Sequence, residues 1–197
     1  MSAGEQGTPA EDAGSLTGHL LVATPMTGEF FERSVVLILH HDEDGATGVT
    51  LNKPMSAEVA AVLPDWQPHV TAPGVLFQGG PVQMDSAMGL VSVPGGEAVQ
   101  AETLGISMLF GGLALVDLDV PPPVVVPELA GLRIFVGYAG WGAGQLEAEL
   151  VQGAWYVVER EPRDPFHETA DFWREVLVRQ RSSLSLVANY TSDPEQN

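Results

Sequence analysis

Residues 33–53 read RSVVLILHHDEDGATGVTLNK, and this stretch decides the fold. Residues 35–39 are apolar throughout and β-branched at three positions, which is typical of a central strand covered on both faces. The acidic run 42–44 before Gly45 predicts a hairpin turn, and residues 47–52 predict the returning strand. The sequence therefore predicts a β-hairpin in the core of a sheet.

Short apolar runs separated by glycine, proline and acidic turns extend this sheet along the chain. One helix is predicted from Ser56 to Leu63, a second after the glycines at 140–144, and a third over residues 169–180. The proline-rich residues 121–127 are expected to form a stiff, extended crossover. The fold class is therefore mixed α/β in a single domain. Strands are expected at residues 19–23, 34–40, 47–52, 75–78, 89–93, 107–110, 132–138 and 155–159.

Charge restricts the possible partners. The 197 residues include 26 acidic and 8 basic side chains, which gives a formal net charge of −18. Binding to nucleic-acid phosphates or anionic membranes needs cations, so neither partner is expected. The chain has no cysteine, which excludes disulfides, thiolate metal sites and cysteine nucleophiles. Common nucleotide, metal and hydrolase motifs are also missing, so we expect no cofactor and no metal.

Three segments are expected along the chain. Residues 1–16 are predicted to be a disordered acidic tail, residues 17–188 the folded domain, and residues 189–197 a flexible C-terminal tail. The start of the chain lacks the basic and apolar regions of a secretion signal. The apolar runs are too short to span a membrane, so a cytoplasmic location is expected.

Glycine-rich segments are the first candidates for a site. Residues 132–147 read LRIFVGYAGWGAGQLE, which predicts a buried strand, a glycine-rich turn and a helix. Such a turn directs free backbone N–H groups and the positive end of a helix dipole at one point, which favours an anion. Alternatively, the glycines serve only tight packing, and Trp141 is either a ligand platform or a core anchor. The pair Gly79-Gly80 before Pro81 either borders a pocket or forms an ordinary turn.

The central hairpin carries histidines and rare cations. His40 and His41 face opposite sides of a strand, so we expect one to be buried or to line a site and the other to be in solvent. Arg33 begins the outgoing strand and Lys53 ends the returning one. These two cations either receive an anionic ligand together or pair with surface carboxylates.

Two other groups of polar residues are less specific. Asp117 and Asp119 share a strand face and either hold a hard cation or form a solvated edge. His167 is expected at the surface, because it lies among prolines and charges.

Several ordered motifs resemble the bacterial YqgE/AlgH family. They are GHLLVATP (18–25), FERSVV (31–36), His41, GATGVTLNKP (45–54), GGPV (79–82) and GYAGWGAGQLE (137–147). The resemblance covers residues 17–177 and implies a bent, partly barrel-like sheet with helices outside. It implies no established reaction, although one branch is named as a regulator of alginate synthesis, which implies a direct or indirect role in transcription. The chain departs from many relatives at Met88 and Val93, where they have Arg and His.

Our leading hypothesis is a non-enzymatic binding or regulatory protein. Its polar pocket would hold a small anionic ligand or an acidic peptide through cations and glycine amides, with Trp141 as a stacking wall and Asn52 orienting the ligand. A protein partner is also compatible with the charge, and the oligomeric state stays open. The predicted binding residues, all matching the family motifs, are Arg33, Ser34, His41, Asn52, Lys53, Gly79, Gly80, Tyr138, Gly140, Trp141 and Gln145.

Two alternatives belong to other functional classes. The first is an enzyme of unassigned class, such as a hydrolase, with His41 as base, Glu147 as acid and glycine N–H groups as an oxyanion hole. It requires His41 and Glu147 to reach one concavity. The second is a DNA-binding regulator, which the net charge opposes.

Overall fold

The computed structural model of the chain describes residues 14–95, 105–180 and 184–188. Residues 1–13 of the tail predicted at 1–16, and the whole tail predicted at 189–197, lie outside these residues. Ten strands in the described ranges form one curled, half-barrel sheet. They are β1 (Leu20–Ala23), β2 (Val35–Asp42), β3 (Gly45–Thr50), β4 (Pro54–Glu58), β5 (Val75–Gln78), β6 (Val82–Ser92), β7 (Ile106–Met108), β8 (Leu113–Val116), β9 (Gly131–Gly142) and β10 (Trp155–Val158).

The long strand β9 joins the two parts of the sheet. The strand order is β10-β1-β2-β3-β9-β6-β8-β7, and all these neighbours are antiparallel. Strand β5 pairs in parallel with β9 and antiparallel with β4. Asp42 pairs with Gly45 in the β2–β3 ladder, which confirms the predicted central hairpin. The mixed α/β class and the bent sheet are also confirmed.

Strand β2 separates two apolar cores, as its uninterrupted apolar sequence predicts. Val35, Leu37 and Leu39 contact one core, which helix residues cover from the other side. Val36 and Ile38 point to the opposite face and contact a core that contains tryptophans. A third core lies under β6, β8 and the first half of β9.

Four short α-helices accompany the sheet in the described ranges: α1 (Pro122–Val125), α2 (Gln145–Val151), α3 (Phe172–Arg179) and α4 (Leu184–Val187). The predicted third helix is confirmed as α3, which begins after its cap Asp171. Phe172, Trp173, Val176 and Leu177 are buried at helical spacing. Arg179 at the end of α3 contacts the buried Asp164 at 2.6 Å. Residue 181 lies outside the described ranges.

Three predictions about local structure were wrong. The predicted helix at Ser56 is strand β4, in which Met55 and Ala57 pack on the third core while Ser56 is exposed. This alternation has the period of a strand. The 121–127 segment is not extended: Pro122 begins α1, because its fixed φ suits a first helical turn, and Val125 is buried. Strand β9 continues through the glycines to Gly142, where a turn after residue 138 was predicted.

No helix in the described part of the chain is long and apolar enough to cross a membrane.

Candidate functional site

His41 is fixed by hydrogen bonds at the end of β2. It is buried, whereas His40 is exposed, in agreement with the prediction from their adjacent positions. His41 Nδ1 accepts the backbone N–H of Leu16 at 2.9 Å, and Nε2 lies 2.6 Å from Oε1 of Glu147. A ring nitrogen that accepts from an N–H carries no proton, so we assign a neutral His41 whose Nε2–H donates to Glu147. The ring thus joins the N-terminal segment to helix α2.

Glu147 lies in the first turn of α2, and about half of its side chain is exposed (51%). Its own backbone amide, followed by the His41 ring, donates to the carboxylate and lowers its pKa below the ordinary 4.5. A carboxyl group with a lowered pKa is ionised at neutral pH. Glu147 therefore carries a negative charge at neutral pH and no proton to donate.

An open cavity of about 510 Å³ adjoins this pair. His41 and Glu147 therefore reach one concavity, the geometric condition for the enzyme alternative. The cavity surface carries four carboxylates, which repel an anion. Its lining consists of Gly14, Ser15, His41, Asp42, Glu43, Asp44 and Glu147.

Glu149, which is not among the predicted site residues, holds the neighbouring aromatic side chains. Its Oε2 accepts the indole N–H groups of Trp141 at 2.9 Å and Trp155 at 2.8 Å. Its Oε1 accepts from Gln145, one helical turn earlier. Trp141 is 7% exposed and packs in the second core, so it has the position of a core anchor. We call Leu16, His41, Glu147 and Glu149 the His41 corner.

Asn52 and Lys53 lie at the opposite end of the central hairpin. Asn52 accepts the backbone N–H of Val35 at 2.9 Å and donates to the carbonyl oxygen of Arg33 at 2.8 Å. Lys53 donates to the carbonyl oxygen of Phe30 and lies over its ring. Burial lowers the pKa of Lys53. Both side chains therefore hold neighbouring backbone.

Arg33 and Ser34 belong to the same end of the hairpin. The guanidinium carbon of Arg33 lies 5.3 Å from the ring centroid of Trp173. The ammonium of Lys53 lies over a different ring, so the two cations have separate aromatic partners. Ser34, which follows Arg33 in the sequence, is fully buried.

Gly79 and Gly80 are buried against β9. A Cβ atom at either position would overlap the backbone of Gly137 or Tyr138, so only glycine permits this approach. The N–H of Gly79 donates to the carbonyl oxygen of Val136 at 2.8 Å. Tyr138 is half-buried, and Gly140 is exposed. The amide of Gly79 is thus already used within the sheet.

The predicted binding residues do not form a single site. Ser34 directly precedes β2 and His41 lies near its end, and the strand rise of about 3.3 Å per residue separates them by about 20 Å. Gly140 and Gly142 pair with Thr47 and Gly45, on the His41 side. The structure therefore does not bring the glycines at 140–144 together with Arg33 and Lys53.

A second open cavity, of about 590 Å³, lies between β6, β8 and β9. We call it the acidic groove, because aspartates line it together with apolar side chains. It was not predicted from the sequence. Its lining consists of Val62, Leu63, Gln83, Asp85, Ser86, Ala87, Met88, Leu115, Val116, Asp117, Leu118, Asp119, Gly137 and Tyr138.

A bulge in β6 forms one wall of the acidic groove. Val82 pairs with Tyr138 and Ala87 with Val136, so residues 83–86 all lie opposite Gly137. Gly137 has a φ of +67°, and a Cβ there would contact the carbonyl oxygen of Gly80. Glycine is therefore required where the bulge begins.

Arg133, which is buried, and His167, which is half-buried, form a polar cluster outside both cavities. Arg133 donates to the carbonyl oxygen of His167 at 2.7 Å, and burial lowers its pKa to about 10. The His167 ring stacks on Phe172 at 3.7 Å. Burial and then the nearby guanidinium lower the His167 pKa to about 4. The expectation that His167 lies at the surface was wrong, because the stacking on α3 covers it.

Comparison with known proteins gives the family. The AlgH-like family model matches residues 20–185. The chain belongs to the AlgH-like family. This membership confirms the predicted resemblance.

Relatives and solved structures extend the AlgH-like match over nearly the whole chain. A UPF0301 protein of Streptomyces coelicolor is 53% identical, with 94% of this chain and 97% of the relative covered. The crystal structure of a Corynebacterium diphtheriae protein is 35% identical, covers 88% of this chain and 91% of its own, and has a TM-score of 0.79. The AlgH protein of Pseudomonas aeruginosa is 30% identical, covers 96% and 99%, and has a TM-score of 0.67.

Proposed function

We propose that this AlgH-like protein is a non-enzymatic binding protein with a regulatory role. The observation that carries the proposal is the state of His41, the best candidate for a general base. Its Nδ1 lone pair accepts the Leu16 N–H, and its Nε2–H is donated to Glu147. General base catalysis requires a free lone pair within reach of the substrate proton. His41 has no free lone pair unless its hydrogen bond with the Leu16 N–H breaks.

The second member of the candidate dyad fails for a related reason. A general acid must hold a proton at the working pH, and Glu147 has a pKa below its ordinary value. Its backbone amide and His41 stabilise the ionised form. The pair therefore serves as a structural tie between β2 and α2.

The acidic groove supports binding through a different set of residues. It combines exposed aspartates with half-buried apolar side chains in an open cavity of about 590 Å³. Pockets that bind ligands or partner segments have this combination of an apolar floor and a few polar groups. With a net charge of −18, a regulatory effect would act through a protein partner and not through direct contact with DNA.

The predicted anionic ligand at Arg33 and Lys53 stays a prediction. It is supported by the proximity of their backbones, which Asn52 links. However, each cation already lies over an aromatic ring, and neither lines the two cavities described above.

Two measurements test the choice of binding over catalysis. Nitrogen-15 NMR of the His41 ring at neutral pH should find the proton on Nε2. With a panel of ester, phosphate and peptide substrates, the wild-type chain should show no more turnover than the His41→Gln variant. Turnover by the wild-type chain that disappears in a folded H41Q variant would establish the enzyme alternative, whose support is the shared cavity.

A further inference from the structure

We infer that the acidic groove binds a basic, amphipathic segment of a partner protein in an extended conformation. The inference rests on the proposed binding function and adds the surface and the chemistry of the partner. It is carried by the charge of the rim, the apolar floor and the unpaired strand residues of the β6 bulge.

The rim carboxylates are open to solvent, although one oxygen of Asp117 accepts the backbone N–H of Asp119 at 2.9 Å. Asp85, Asp117 and Asp119 are exposed, and no Lys, Arg or His lines the groove. Within the described ranges, none of the three takes part in an ion pair. Several carboxylates around a cavity attract cationic side chains.

The floor favours a segment that also carries apolar side chains. Leu63, Met88 and Leu118 line the groove and are only partly buried. Val62, which is also in the lining, is 60% exposed. Covering such side chains removes apolar surface from water, which a purely charged ligand cannot do.

The bulge offers backbone groups to an extended chain. Strand β8 pairs only with Gly89–Ser92 of β6. Strand β9 pairs with β6 at Val82 and again from Ala87. Residues 83–86 therefore have no ladder partner among the described residues. Unpaired strand backbone is the usual template for adding an extended peptide. Alternating side chains of that peptide would reach the aspartates and the apolar floor.

A second copy of this chain does not fit the groove. The chain has 8 basic residues against 26 acidic ones. Several of these cations are already used, because Arg133 is buried, Arg163 and Arg179 form ion pairs, and Lys53 contacts Phe30. A different protein with a basic segment is therefore the occupant we infer.

Fluorescence polarisation with synthetic peptides tests the inference on the full chain. The probe is a labelled peptide in which lysine and leucine alternate, compared with peptides that alternate glutamate and leucine or lysine and serine. The groove variant is D85N/D117N/D119N, and the control variant D42N/E43Q/D44N removes the same charge from the exposed hairpin. Thermal melting establishes that both variants are folded.

We expect the lysine–leucine peptide to bind the wild-type chain and the control variant equally, and the groove variant about tenfold more weakly. The other two peptides should bind more weakly than the lysine–leucine peptide. Amide shifts on binding should concentrate at residues 83–88 and 115–119. No binding to the wild-type chain, or equal weakening by both variants, would overturn the inference. Neither result bears on His41-dependent turnover. The peptide titration therefore tests this inference, and the substrate panel separately tests the proposed binding function.

Discussion

The His41 corner adjoins an open cavity and the acidic groove is another, but the polar groups of the two regions differ in what they already contact. In the corner, Glu147 accepts from His41, and Glu149 accepts from two tryptophans. In the groove, the exposed aspartates form no ion pair with the rest of the described chain. A cluster of titratable residues is therefore a weak guide to function until its hydrogen bonds are assigned.

The difference predicts opposite responses to mutation. Removing a corner side chain leaves a buried donor without an acceptor, which destabilises the fold. Removing a groove carboxylate leaves no buried group unsatisfied and relieves repulsion between like charges. Stability measurements should therefore distinguish the two regions before any ligand is known.

The largest effect is expected for Glu149→Ala. The indole N–H groups of Trp141 and Trp155 would lose their common acceptor in a buried environment. We expect the free energy of unfolding to fall by about 3 kcal/mol, measured by urea denaturation. The groove variant Asp117→Asn should change it by less than about 0.5 kcal/mol. Equal losses in both variants would remove the distinction between the corner and the groove.

A somewhat smaller loss is expected for His41→Ala. The Leu16 N–H loses its acceptor and Glu147 loses its donor. We therefore expect the free energy of unfolding to fall by about 2 kcal/mol. His40→Ala is the matched control, because His40 is exposed and contacts only the surface Asp42 among its described partners. Its effect should be close to zero in the same urea titration. If His41→Ala changes the free energy of unfolding as little as His40→Ala, the hydrogen bond between the ring and Leu16 does not stabilise the fold.

Much of the fold could be predicted from local patterns. The apolar run at 35–39 and the acidic turn before Gly45 gave the central hairpin, since both signals act over a few residues. The helical spacing of Phe172 and Val176 likewise gave α3. Ser56 was assigned to the wrong element, because a capping residue and a short apolar run do not distinguish a helix from a strand that pairs with a distant partner.

The arrangement of the candidate site was harder to predict. The positions of His41 and Glu147 suggested a base and an acid, and the side chains are in contact, but the acceptor role of Nδ1 depends on Leu16, far away in sequence. The role of Glu149 depends on two tryptophans from different strands. The acidic groove results from a bulge, which residue spacing alone does not specify.

The smallest effect concerns the pH dependence of the His41–Glu147 contact. The pKa of Glu147 is lower in the folded chain than its ordinary 4.5, because its own amide and then His41 stabilise the carboxylate. A carboxyl group with a lowered pKa in the folded state contributes stability above the unfolded value and loses it as the pH falls through the folded value. Wild type should therefore exceed Glu147→Gln in stability at pH 7, and the difference should shrink below pH 4.5. Urea midpoints measured across this range provide the check, with Glu43→Gln in the exposed hairpin as the control. A difference that grows as the pH falls would mean that the neutral carboxyl, and not the carboxylate, is the form that the folded chain prefers.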